Sequence, residues 1–95
     1  MRKYELAVVL TAKIEDEERK AVIEQIKGYI ERYNGTVTEV EEWGKKKLAY
    51  EIKKMKEAYY YFIRFEADNE CSNKVEQEVR ILEPVLRFLC VKQDA

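Results

Sequence analysis

The spacing of apolar side chains alternates along this sequence between a period of two and a helical period, and this order constrains the fold more than any other feature. A period of two predicts strands, and an apolar residue every three or four positions predicts helices. The strand segments are 4–10, 36–52, 59–65 and 86–91, and the helix segments are about 16–33 and 70–82. The predicted order of elements is therefore β-α-β-β-α-β.

Each predicted helix carries one apolar stripe and an end signal. The first is followed by Asn34-Gly35, a pair that favours the end of a helix. The second is followed by Glu83-Pro84, and proline cannot continue a helix. The stripes consist of Val22, Ile23, Ile26, Ile30 and Tyr33 in the first helix, and of Cys71, Val75, Val79 and Leu82 in the second. Each helix should therefore bury a single face.

Two helices are too few to cover both faces of a four-stranded sheet. The order of elements is that of the ferredoxin-like split βαβ sandwich, an α+β fold with a four-stranded antiparallel sheet and two helices on one face. This topology places the first and third strands at the centre. With 95 residues, 46% of them apolar, the chain has room for one core, so we expect a single domain over residues 1–95.

The sheet face opposite the helices, here called the open face, is predicted to be too apolar for free solvent. The strand alternation assigns to it Lys3, Ala7, Val9, Tyr60, Phe62 and Arg64, flanked by Arg87, Leu89 and Val91. Monomeric proteins rarely expose such a patch unless it is used, so we expect a partner protein to dock there. The partner-binding candidates are Val9, Tyr60, Phe62, Arg64, Leu89 and Val91.

The second strand is predicted to be long and irregular. Val37 and Val40 are an odd number of positions apart although both should face inward, so we expect an irregularity between them. Gly44 indicates a bulge or a close backbone approach. Beyond it, one face of the strand should be core. The expected core face holds Leu48, Tyr50 and Ile52, and the opposite face holds Ala49 and Glu51.

Lysines cluster at the end of this strand and in a polar connection expected over 53–58. The formal net charge is −1, so a nucleic-acid function must rest on where the charges lie. Three consecutive lysines cannot all be buried, so this part of the chain should project as a positive arm. The cations of this lysine arm, residues 45–56, are Lys45, Lys46, Lys47, Lys53, Lys54 and Lys56, while 15–18 and 39–42 are acidic. The arm suits a polyanion, but a lysine-rich edge also prevents strand-to-strand aggregation.

The residue inventory disfavours several function classes. The chain has no histidine, the commonest general base and the commonest nitrogen ligand of metals. Glu41 and Glu42 point to opposite faces of a strand, which does not suit paired acid–base chemistry. Cys71 and Cys90 form no Cys-x-x-Cys motif, and no signal peptide or membrane span is recognised. We expect a cytoplasmic protein without enzyme activity, metal, cofactor, small-molecule substrate or membrane contact.

Several motifs resemble the bacterial small-subunit ribosomal protein six family, and the resemblance runs essentially from end to end. They are Met1-Arg2-Lys3-Tyr4-Glu5, Asn34-Gly35, Trp43-Gly44-Lys45-Lys46-Lys47-Leu48-Ala49-Tyr50-Glu51-Ile52, Val85-Leu86-Arg87-Phe88-Leu89 and Val91-Lys92. The motif that contains the tryptophan is the most specific. One position departs from the family, which usually has a glycine before the third strand where this chain has Ala58.

The resemblance implies a structural ribosomal protein that acts in assembly of the small subunit. It would bind the central domain of the small-subunit ribosomal RNA together with ribosomal protein eighteen, its heterodimer partner. By position, the resemblance implies that the RNA-side residues are Arg2, Tyr4, Lys46, Lys47, Tyr50, Lys54, Arg87 and Lys92. The lysine arm adds Lys45, Lys53 and Lys56 to this RNA set.

Two other functions compete with this interpretation. A single-stranded RNA-binding module of the RNA-recognition-motif type would use the aromatic strand 59–65, but its expected glycines are absent and the first strand offers Leu6 and Val8 rather than an aromatic pair. A small-molecule regulatory or catalytic domain would need a glycine-rich phosphate loop, and the three glycines of this chain are scattered.

Overall fold

The computed structural model describes residues 2–52 and 54–93 and contains six elements in the predicted order. They are β1 (Arg2–Thr11), α1 (Asp16–Arg32), β2 (Thr36–Ile52), β3 (Met55–Ala67), α2 (Asn69–Arg80) and β4 (Val85–Gln93). The prediction of a ferredoxin-like β-α-β-β-α-β fold is confirmed.

The four strands form one sheet in the order β2-β3-β1-β4, and every neighbouring pair is antiparallel. The central pair, β1 and β3, stays in register from Arg2 opposite Ala67 to Thr11 opposite Ala58. The predicted central position of these two strands is confirmed. Because side chains alternate along a strand, the even-numbered residues of β1 and the odd-numbered residues of β3 share one face.

The core lies between that face and the two helices. Leu6, Ile63, Ile26 and Val75 are completely buried there, and burying one such side chain contributes about 1.5–3 kcal/mol relative to leaving it exposed. Both predicted helix stripes are confirmed. The buried members are Val22, Ile23, Ile26, Ile30, Cys71, Val75 and Val79, and the partly buried ones are Tyr33 and Leu82.

The turn after α1 depends on a glycine. Asn34 has a φ of 70°, and the Gly35 N–H donates to the Ile30 carbonyl at 2.8 Å. A Cβ atom at Gly35 would lie 2.8 Å from Cγ2 of Ile30, so a larger residue would force the turn to shift. The predicted end of the first helix at Asn34-Gly35 is therefore confirmed.

The beginning of β3 differs from the prediction. The strand begins at Met55, so residues 55–58 are not a polar connection. Met55 and Ala58 are buried, and the Thr11 hydroxyl donates to Sδ of Met55 at 3.0 Å. The charged neighbours Lys53, Lys54, Lys56 and Glu57 give this segment the composition of a polar connection, which is why the sequence did not predict a strand there. Ala58, at the family's usual glycine position, pairs with Thr11 and Lys46 inside the sheet.

The end of the second helix also differs from the prediction. The helix ends at Arg80, before Leu82, so Glu83-Pro84 lies in the loop beyond it. Leu82 still packs against the core, and its carbonyl accepts from the Val85 N–H at 3.1 Å. The apolar stripe therefore continues past the helix, which explains why the helix was predicted too long.

The register of β2 against β3 shifts at three places. The shifts between Val37 and Glu39 and between Glu42 and Gly44 confirm the predicted irregularities. Gly44 has a φ of 77°, a backbone conformation that favours glycine. At the third shift, residues 48–51 of β2 lie opposite a single residue of β3.

Within the segment of this third shift, Leu48 and Tyr50 point away from the core. Tyr50 is 59% exposed and lines a groove on the open face together with Leu48, so the prediction that these two residues face the core is wrong. The wide bulge breaks the period of two on which that prediction depended. Ile52 was predicted to face the core and Ala49 to face away from it, but the structure does not describe these two side chains. Lys53 lies outside the described residues.

Candidate nucleic-acid and protein interface

The open face carries an aromatic pair from the edge strand β2 and its neighbour β3. The rings of Trp43 and Phe62 have centroids 4.7 Å apart at an interplanar angle of 52°. Nε1 of Trp43 donates to Oε1 of Glu41 at 2.7 Å, and Trp43 is still 52% exposed. Trp43 was not among the predicted site residues. Its position directly before the lysine arm, on a strand expected to be partly exposed, could have marked it as a candidate.

Arg64 lies beside this pair and holds three carboxylates. Its Nε donates to Oε2 of Glu5 at 2.9 Å, and Nη1 lies 3.1 Å from Oε2 of Glu39. Nη2 lies 3.7 Å from Oε2 of Glu41. Desolvation alone would lower the pKa of Arg64, but the three carboxylates outweigh it and raise that pKa. These three acids were also missed by sequence reasoning, because their common partner is set by strand pairing.

A groove of about 220 Å³ separates the lysine arm from the open face. Its lining includes Ala7, Val9, Leu48, Tyr50, Tyr60, Arg87 and Leu89. Nη1 of Arg87 donates to the Tyr50 hydroxyl, and Cζ of Arg87 lies 5.7 Å from the Tyr50 ring centroid. The structure therefore brings members of the predicted RNA set and of the predicted partner set into one groove.

The three consecutive lysines lie on the outer half of β2. Lys45, Lys46 and Lys47 are exposed and pair in register with Tyr59, Ala58 and Glu57. Within residues 2–52 and 54–93, none of these three lysines takes part in an ion pair. Lys54 and Lys56 are also exposed. The arm therefore presents a group of cations with no carboxylate partner of its own among the described residues.

Three members of the predicted RNA set lie at the other end of the sheet. Arg2 and Lys92 are exposed, and Lys92 pairs with Tyr4. Tyr4 itself is only 4% exposed, stacks on Phe65 at 5.5 Å and donates its hydroxyl to Asn69 at 3.0 Å. In the free protein, Tyr4 supports the core and does not present a surface for RNA.

The remaining predicted partner residues extend the open face toward β4. Leu89 is 62% exposed and Val91 is also exposed, whereas Val9 is half-buried. The described residues form no group of three or more histidine, cysteine or acidic side chains that could hold a metal ion. None of the described helices is long and apolar enough to cross a membrane.

Comparison with known proteins decides the family. The family model described as ribosomal protein S6 matches residues 3–92. This chain belongs to the ribosomal protein S6 family. The S6 proteins of Clostridium botulinum (strain Hall) and Clostridium novyi (strain NT), both named small ribosomal subunit protein bS6, are each 43% identical over 94 residues. The match covers 99% of this chain and 100% and 99% of those proteins, respectively.

A solved structure supports the same conclusion. The 30S ribosomal protein S6 of Thermotoga maritima superimposes with a TM-score of 0.92 at 31% identity, over 97% of this chain and 87% of that one. The resemblance inferred from the sequence motifs is confirmed. This S6 family member is a structural protein of the small ribosomal subunit in the cytoplasm and not an enzyme.

Proposed function

We propose that this S6 family member binds the central domain of the small-subunit ribosomal RNA together with ribosomal protein eighteen during assembly of the small subunit. The observation that carries this proposal is the placement of an exposed apolar sheet face next to an arm of lysines without carboxylate partners among the described residues. The two surfaces suit two different partners, a protein and a polyanion.

The lysine arm and Arg87 form the proposed RNA surface at one end of the sheet. An ammonium is a compact point charge that suits phosphate oxygens and carries little information about base identity. The arm should therefore position the RNA backbone, with Arg2 and Lys92 contacting RNA at the other end. Tyr4 is left out of this surface because its side chain is buried.

The open face forms the proposed docking surface for ribosomal protein eighteen. Its exposed members Leu89 and Val91 offer apolar area for burial, and Trp43 is of a residue type that often anchors protein interfaces. Arg64 and its carboxylates add a polar margin beside the aromatic pair.

The structure gives less support to the RNA-recognition-motif alternative. That function needs neighbouring aromatic rings whose faces are free to stack on bases. Phe62 lies under Trp43, and Tyr60 lines the groove beneath the lysine arm. The aromatic residues of β3 that reach the open face are therefore partly covered.

The proposal is tested by titrating two RNA transcripts with this protein, in the presence and absence of ribosomal protein eighteen. One transcript carries the central domain of the small-subunit RNA, and the control carries another domain of similar length. We expect the two proteins together to bind the central-domain transcript at least tenfold more tightly than the control. Equal binding of both transcripts, or binding of any single-stranded RNA without the partner protein, would contradict the proposal.

A further inference from the structure

The lysine arm covers part of the surface that is proposed for the partner protein. Leu48 and Tyr50 of the arm face Val9, Tyr60 and Leu89 across the groove of about 220 Å³. The last three residues belong to the predicted docking surface. A partner that packs closely against the half-buried Val9 and Tyr60 would need the space that the two arm residues now occupy, whereas Leu89 stays 62% exposed beside the arm.

The arm reaches this position by crossing the sheet. It belongs to β2 and β3, whereas Arg87 belongs to β4, and β1 lies between β3 and β4. Neighbouring strands are about 4.8 Å apart, so three spacings, or roughly 14 Å, separate β2, which carries Tyr50, from β4, which carries Arg87. The bulge over residues 48–51 supplies the extra chain for this crossing.

One polar contact fixes the far end of the arm. Nη1 of Arg87 donates to the Tyr50 hydroxyl, and the guanidinium also approaches the ring of Tyr50. Both side chains are exposed. An exposed hydrogen bond of this kind contributes little to stability, so the contact can open without unfolding the sheet.

We propose that the contact between Tyr50 and Arg87 is a latch that holds the lysine arm closed over the open face until a partner protein displaces it. The proposal rests on the proposed function, because it describes how that function's two surfaces are coupled. While the latch is closed, Tyr50 and Arg87 bind each other, and both belong to the predicted RNA set. Docking of the partner opens the arm and frees both side chains for RNA.

Opening the arm costs free energy, which weakens binding of the partner, and a mutation that breaks the latch removes this cost. The observed dissociation constant equals the intrinsic one divided by the fraction of molecules with an open arm. Coupling between two sites is reciprocal, so RNA that binds Tyr50 and Arg87 in the open arm also strengthens docking of the partner.

The first experiment examines the free protein by NMR. Cross-peaks between the ring protons of Tyr50 and the side-chain protons of Arg87 should be present in the wild type. They should weaken at least threefold in Tyr50→Phe, which keeps the ring and removes the hydroxyl. The matched control is Tyr29→Phe on α1, whose hydroxyl accepts from Gln25 at 2.7 Å; it should leave the cross-peaks unchanged. Absent cross-peaks in the wild type, or equal ones in Tyr50→Phe, would overturn the latch.

The second experiment titrates the same three proteins with ribosomal protein eighteen without RNA. Losing one exposed hydrogen bond changes an equilibrium by about two- to tenfold, so Tyr50→Phe should bind the partner about threefold more tightly than the wild type and Tyr29→Phe. Equal or weaker binding by Tyr50→Phe would overturn the latch. If the wild type binds the partner neither in this titration nor in the presence of the central-domain transcript, the proposed function fails, whereas the NMR cross-peaks still decide whether the latch exists.

Discussion

Contacts of individual side chains determine which parts of the open face are exposed to solvent. Trp43 covers Phe62, whereas Leu89 is 62% exposed. Three carboxylates surround the one guanidinium of Arg64, which leaves a local surplus of two negative charges. A partner that docked there would meet apolar area and negative charge side by side, and a basic segment would suit that combination.

Phe62→Arg separates folding from partner binding. The Phe62 side chain lies on the open face and not in the core between the sheet and the helices, so the variant should remain folded. A charge placed in a contact that loses its water should weaken binding of ribosomal protein eighteen by about 2 kcal/mol or more. A thermal melt and a titration of the partner, in the presence of RNA, measure the two effects.

Ile81→Arg is the matched control for Phe62→Arg. Ile81 is 77% exposed at the end of α2, away from the open face, and its replacement should change neither the melt nor the titration. A folded Phe62→Arg protein that binds like the wild type would contradict the docking surface. An unfolded one would show that the side chain is needed by the core.

Cys90 gives a prediction about pH. Burial raises the pKa of its thiol to about 12, with smaller contributions from Glu76 and Cys71. The thiol of an unfolded chain has a pKa of about 8.5, so the folded state retains the proton more strongly. The resulting stability is complete below the unfolded pKa and is lost as the pH rises through the folded pKa.

The stability difference between the wild type and Cys90→Ala should therefore shrink as the pH rises from about 8.5 to 12. Melting temperatures of both proteins across this range measure it, and the variant serves as the control for lysines and tyrosines that titrate in the same range. A difference that does not change with pH would contradict a raised pKa for this thiol.

Among the elements, β2 depends on the backbone conformation of one glycine. The positive φ of Gly44 lies in its bulge, and no atom lies within 4 Å of a Cβ built there. Gly44→Ala should therefore destabilise the protein by about 1 kcal/mol through backbone strain alone. Gly28→Ala, in the exposed middle of α1 and equally free of contacts, should stabilise it by about 0.5–1 kcal/mol.

Urea unfolding of the two alanine variants measures both effects. Both glycines have open space around them, so the two effects differ only through the backbone. Gly44 has a positive φ that disfavours alanine, whereas Gly28 is helical, a conformation that alanine favours. If both variants were stabilised, the bulge at Gly44 would not require a left-handed residue.

Elements with a buried face could be predicted from the sequence, whereas for the lysine arm only its exposed charges could be predicted and not the direction of its apolar side chains. A core on one side of the sheet imposes the period of two on β1 and β3 and the helical period on α1 and α2. Residues 48–51 lie in the bulge at the end of β2, where no core face fixes their pattern. There the conformation depends on long-range contacts such as Arg87 with Tyr50, 37 positions apart.

In the molecule as a whole, the predicted RNA set divides between two ends of the sheet. One end carries the lysine arm and Arg87, and Arg87 pairs with Val9 of β1. The other end carries Arg2 and Lys92, and Lys92 pairs with Tyr4 of β1. These two register positions are five steps apart along β1, or about 17 Å. Arg2 and Lys92 project to the helix side, as their register partners Ala67 and Tyr4 do, whereas Arg87 projects to the open face with Val9. A single RNA must therefore extend along the sheet and pass around its edge to reach both.

The lysine arm should contribute mainly a salt-dependent, sequence-independent term to RNA binding. Lys46→Ala/Lys47→Ala should weaken binding similarly for related RNA sequences and reduce the slope of log K against log salt by roughly 1–2 units, about one for each lost phosphate contact. The control is Lys20→Ala/Lys27→Ala on α1, where both lysines already pair with carboxylates. An unchanged slope in the arm variant would show that the arm does not contact RNA.

The second end of the sheet gives the last prediction. Arg2→Ala/Lys92→Ala should also reduce the salt slope by roughly 1–2 units if one RNA contacts both ends. Sites more than 7–10 Å apart without shared partners contribute nearly independently. The quadruple variant should therefore lose the sum of the two free energies within about 0.5 kcal/mol. Filter binding at four salt concentrations measures all three variants. An end variant with wild-type affinity and slope would confine the RNA to the lysine arm and Arg87, and Arg2 and Lys92 would then serve only as solvent-exposed charges at the end of the sheet.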